Sequence, residues 1–103
     1  MNNIFLVCSL LFSSIILSQE NNILISPSSM NGWSSIIITT QEKGNYNLVI
    51  KDKTNNKILF SKNLDINKRN GFKHDFSLYP KGKYVFIVEN NNKEVFNTTK
   101  IKK

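Results

Sequence analysis

The chain has 103 residues, the size of one domain, with 14 basic side chains against 7 acidic ones and a net charge of +7. It contains no alanine and is rich in Asn, Lys, Ile and Phe, which disfavours a helical fold and leaves β-branched and aromatic residues to build a core. It has a single His, and its single Cys falls inside an apolar leader, so no catalytic set, metal site or cofactor is assigned.

Ile4 to Leu17 is almost wholly apolar, broken by Cys8, Ser9, Ser13 and Ser14. That length suits a signal-peptide core and falls short of the about 20 residues a membrane span needs. Ser18 offers a small residue for cleavage, so residues 1–18 read as a signal peptide and 19–103 as the mature domain. Phe5-Leu6-Val7 before Cys8 is unsuited to lipid attachment, and cleavage removes the only thiol. The exported domain is then stabilised by apolar burial without disulfides and keeps no stable membrane span.

Seven β-type runs follow, spaced as in small sandwiches. They are Asn22 to Ser26, Ser34 to Thr40, Tyr46 to Asp52, Ile58 to Leu64, Phe72 to Phe76, Lys83 to Glu89, and Glu94 to Ile101. Period-two alternation puts Tyr46, Leu48 and Ile50 on one face, and likewise Ile58, Phe60 and Leu64, and Phe72, His74 and Phe76. The sixth run is apolar on both faces and is expected at the centre of a sheet. Glu42 to Asn45, Lys53 to Lys57 and Asn90 to Lys93 are turns, in which Asn tolerates positive φ. The expectation is an all-β, seven-stranded antiparallel sandwich.

Chemistry is sparse along these runs. His74 is expected to be a half-buried packing residue, with Asp75 on the opposite face of its strand. Asp52-x-Thr54-x-Asn56 alternates oxygen ligands like a calcium loop, but Lys57 stands where the glycine is needed, so it reads as a polar hairpin. Lys68-Arg69 is placed in a loop with Asn67, Asn70 and Gly71. With one Arg in the chain, nucleic acid is not an expected partner. Trp33 is expected to plug one end of the sandwich, with an exposed stacking platform for a sugar as the other reading. Tyr79 is expected to be exposed beside Lys81 and Lys83. Trp33, Tyr79, Lys81 and Lys83 are therefore the candidate ligand contacts.

Pro27, Leu48-Val49-Ile50-Lys51-Asp52, Phe76-Ser77-Leu78, Gly82, Tyr84 and the ending Lys100-Ile101-Lys102-Lys103 together resemble the C-terminal sorting domain of type IX secretion. Asn55 and Asn56 stand where those domains carry a glycine. The chain is also similar to short secreted immunoglobulin-like domains of unknown function. The spacing Leu78-x-Pro80-x-x-x-Tyr84 resembles the tyrosine corner of fibronectin type III domains. These resemblances imply an immunoglobulin-like, fibronectin type III-like sandwich in which Leu78 plugs the core, Pro80 and Gly82 shape the corner, and the Tyr84 hydroxyl caps backbone. They imply a Gram-negative source and a location in the periplasm, on the cell surface or outside the cell. They imply a non-catalytic sorting or surface-attachment module, with Lys100, Ile101, Lys102 and Lys103 read by the secretion machinery. The other reading is a freestanding module that binds a surface protein or an anionic glycan.

Overall fold

A computed structural model describes residues 20–103; the expected signal peptide lies outside the described residues. The strands are β1 (Asn22–Ser26), β2 (Trp33–Thr39), β3 (Gly44–Asp52), β4 (Lys57–Ile66), β5 (Arg69–Asp75), β6 (Gly82–Asn90) and β7 (Lys93–Lys102). All pairings are antiparallel, in a three-stranded sheet β1-β2-β5 and a four-stranded sheet β4-β3-β6-β7. The seven expected strands are all present, and the two-faced sixth run lies inside its sheet, between β3 and β7.

Alternation decides which side chains enter the core. Ile23 and Ile25 of β1, Ile36 and Ile38 of β2, Tyr46, Leu48 and Ile50 of β3, and Tyr84, Phe86 and Val88 of β6 are all buried in one cluster. Leu64 and Ile66 of β4, Met30 between β1 and β2, and Phe76 after β5 complete it. Each fully covered aliphatic or aromatic side chain contributes roughly 1.5–3 kcal/mol. Val49 points the other way, yet is only 6 % exposed. It sits between its register partners Ser61 and Ile87 on the outer face of a central strand.

One face assignment fails. The pairing of β3 with β4 shifts between Ile50 and Lys51, so Ile50 faces Phe60 while Lys51 faces Ile58. The extra residue, Leu59, breaks the period of two. Phe60 still packs on the core, but Ile58 is turned out and exposed. A second correction concerns Arg69 to Gly71, which are strand and not loop. Lys68 adopts φ 71° and bridges Asn67 to Arg69, so the chain passes between sheets in a much tighter turn than expected.

The other turns use the expected chemistry. Asn56, Asn91 and Asn92 have positive φ. In the β3–β4 hairpin, Asp52 accepts hydrogen bonds from the Thr54 amide and the Asn55 side chain, which employs both carboxylate oxygens in closing the turn.

Candidate functional site: the corner end

The chain crosses from the three-stranded sheet to the other one over residues 76–81. Phe76 N–H donates to the Gly32 carbonyl at 2.9 Å, and Tyr79 N–H donates to the Phe76 carbonyl at 3.0 Å. Ser77 N–H donates to the Asp75 carboxylate. Gly82 follows with φ 154°, a conformation that an L side chain rarely adopts. Tyr84 is buried, and its hydroxyl donates to the Pro80 carbonyl, as its spacing to Pro80 led one to expect. Burial, and then the Asp52 carboxylate, raises the Tyr84 pKa.

Leu78 does not plug the core. It is 92 % exposed, at the outer position of the turn that the Tyr79–Phe76 hydrogen bond closes. Phe76, completely buried, fills that role, with its ring 5.1 Å from Tyr79 and 6.2 Å from Phe86. Phe76 stands two residues before Leu78 and continues the inward set Phe72, His74 and Phe76. That parity was the available signal.

Tyr79 is not an exposed aromatic either. It is half-buried, its ring meets His74, Phe76 and Tyr84, and its hydroxyl lies 2.9 Å from His74 Nε2. Burial, with a smaller contribution from Tyr84, pushes its pKa up to about 12. His74 is half-buried as expected, with its ring centroid 4.4 Å from Phe60 and 4.8 Å from Phe76. Burial lowers the His74 pKa, against the opposing pull of the Asp75 carboxylate. The Asp75 pKa is itself lowered, chiefly by its hydrogen bonds from Ser77.

Trp33, expected as a plug, is 66 % exposed. Ile36 and Ile38 point inward, so Ser34 does too, and its hydroxyl donates to the Pro27 carbonyl at 2.8 Å. Trp33, one residue earlier, therefore faces out. Lys81 and Lys83 are exposed as expected.

At the C-terminus the parity of β7 overturns the expectation that Lys102 is open to a partner. Phe96, Thr98, Lys100 and Lys102 share the inward face, so Lys102 is buried and donates from Nζ to the Phe76 carbonyl at 2.8 Å. Ile101, one residue earlier, faces out and is 53 % exposed. Lys103 is exposed.

These residues occupy one end of the molecule. Asp52 pairs with Lys57 and Tyr84, and Gly82 pairs with Lys102, at one end of the four-stranded sheet. Trp33 pairs with Asp75 at an end of the other sheet, and the Lys102–Phe76 bond ties the two ends together. The half of the sandwich with this corner holds Lys51, Lys53, Lys57, Lys73, Lys81, Lys83, Lys100, Lys102 and Lys103, against only Asp52 and Asp75. Lys62 lies at the midline, opposite Leu48, and Lys43, Lys68, Arg69 and Lys93 lie beyond it with Glu20, Glu42, Asp65, Glu89 and Glu94. Together with Lys62, the charges of that second half cancel, so the net excess of +7 belongs to the corner half. No signal in the linear sequence shows this polarity, because antiparallel pairing brings its three lysine groups together.

Among the described residues, no group of three or more His, Cys, Asp or Glu is placed to hold a metal ion, and no helix is long and apolar enough to cross a membrane. Compared with protein-family models, curated proteins and solved structures, the chain matches none.

Proposed function

We propose that this protein is a non-catalytic surface-attachment module of immunoglobulin-like, fibronectin type III-like build, which binds an anionic surface through its corner end. The observation that carries the reading is the confinement of the +7 excess to the half that also presents Trp33, Lys81 and Lys83. A field of one sign on one face attracts and orients an anionic partner, which an even spread of the same charges would not do. The strand order β1-β2-β5 against β4-β3-β6-β7, with the Tyr84–Pro80 bond at the crossing, supports the finer fold assignment.

A type IX sorting role is the second reading, and it would use the same end, where Ile101 and Lys103 are exposed. Lys102 is occupied by the Phe76 carbonyl, so a receptor would read Lys100, Ile101 and Lys103 without it.

Fractionation of host cells expressing the tagged chain tests the attachment reading. Lys81→Glu with Lys83→Glu should move the protein from the cell-surface fraction to the soluble one. Lys68→Glu with Arg69→Glu, at the other end, should leave it in place. Equal behaviour of the two pairs would end the proposal.

A further inference from the structure

The corner end carries more than charge. Leu78 at 92 %, Trp33 at 66 % and Ile101 at 53 % are three of its large apolar side chains, and all stand out into solvent. Leu78 sits at the tip of a turn and Trp33 on the neighbouring strand end, joined through the bond from Phe76 N–H to the Gly32 carbonyl. Lys81, Lys83 and Lys103 are exposed at the same end, which therefore presents apolar groups and cations together.

Building on the attachment reading, we infer that the anionic surface is a lipid bilayer, with Leu78 and Trp33 entering the headgroup layer and Lys81, Lys83 and Lys103 meeting its phosphates. Three considerations favour lipid over other anionic partners. An aliphatic side chain at a turn tip offers a sugar no hydrogen bond, and the nearby Asp75 carboxylate and Ser77 amide are engaged with each other. Protein interfaces are depleted in lysine, whereas lysine is the dominant cation here. Tryptophan is suited to the water–lipid boundary, since its ring is apolar and its N–H can remain hydrated. Lysine stems can lie along the apolar layer while their ammonium groups reach phosphate.

The chain contains one tryptophan, so its fluorescence reports this site alone. The full-length protein should be mixed with phosphatidylcholine vesicles, with and without phosphatidylglycerol, and separately with heparin as a soluble anionic glycan. The apolar segment Ile4 to Leu17 is common to all variants, so the decisive readouts are Trp33 emission and differences between variants. Anionic vesicles should shift the emission to the blue and expose it to quenching by brominated lipid. Each lysine near the surface is worth about five-fold in affinity, so Lys81→Glu with Lys83→Glu should weaken the effect at least roughly 25-fold. Leu78→Ser should weaken it about ten-fold without altering circular dichroism or melting. If the protein binds vesicles while Trp33 emission stays fixed, or if Leu78→Ser has no effect, insertion of the corner is refuted. If heparin shifts the emission and vesicles do not, the lipid assignment fails and the anionic attachment reading survives. If neither shifts it and surface retention in cells ignores Lys81 and Lys83, both readings fail.

Discussion

Lys102 Nζ donates to the carbonyl of Phe76 at 2.8 Å, within the protein interior, and so fastens the last strand of one sheet to the end of β5 in the other. A buried ammonium is tolerated only where it is bonded, and here it shares the Phe76 carbonyl with the Tyr79 amide.

Lys102→Met keeps most of the apolar stem and removes the donor. It should lower unfolding stability by about 1.5–3 kcal/mol, as for a hydrogen bond to a charged group. Lys103→Met, one residue on and exposed, should be neutral. Denaturant melts of the two variants provide the comparison; equal midpoints would show that the Tyr79 amide alone satisfies the Phe76 carbonyl and that the Lys102 bond adds no stability.

Tyr84→Phe removes the hydroxyl that meets the Pro80 carbonyl and leaves the ring in place. The loss should be on the order of 1 kcal/mol, with strand content unchanged by circular dichroism. An unshifted denaturation midpoint would count against the bond.

Phe76 and Leu78 provide a pair with opposite outcomes. Phe76→Ala empties a completely buried site and should cost about 3–5 kcal/mol. Leu78→Ala should change thermal stability very little, because its side chain is almost fully solvated. A large loss at Leu78 would place it in the core after all.

The His74 pKa lies below its ordinary value of 6.5 in the folded state, chiefly because the ring is half-buried. Below pH 6.5 the unfolded chain takes up the proton first, so stability should fall as pH drops from 6.5 through the folded-state pKa. Asp75, whose pKa is lowered, should add a further loss below 3.8. His74→Phe should remove the upper part of this dependence. Melting temperature measured against pH for both proteins tests it.

Tyr79 behaves in the opposite sense at high pH. The fold holds its phenol neutral to about 12, whereas the unfolded chain ionises it near 10.0. Stability should therefore fall as pH rises from 10.0 toward 12, and ultraviolet titration of the folded protein should show the Tyr79 phenolate only near the upper value.

The strands were legible because their signal is local. Ile36 and Ile38, Tyr46, Leu48 and Ile50, or Tyr84, Phe86 and Val88 repeat every second residue, and a strand with one buried face has little freedom to do otherwise. The same rule, applied further, would have turned Trp33 outward and Lys102 inward. Ile58 was beyond it, since nothing in Lys57-Ile58-Leu59-Phe60 marks the extra residue that shifts the register. The corner was half legible. The proline, glycine and tyrosine fixed where the chain turns, but the position of Leu78 in the turn depends on which carbonyl the Tyr79 amide selects. The candidate site itself was hidden: Lys51 to Lys57, Lys81 to Lys83 and Lys100 to Lys103 are far apart in the chain, and only strand pairing makes them neighbours.

The two sheets are also unequal in how much of them is edge. Each joins one pair of distant strands, β2 with β5 and β3 with β6, beside pairings of consecutive strands. A strand paired on one side only leaves backbone groups open to solvent. The smaller sheet, with both β1 and β5 at its margins, is thus the layer that breathes, and its amides should exchange with solvent sooner than those of β3 and β6. Trp33 belongs to that layer and Lys81 and Lys83 lie at the start of the firmer one, so a partner gripping both would hold the two layers shut and slow their exchange together.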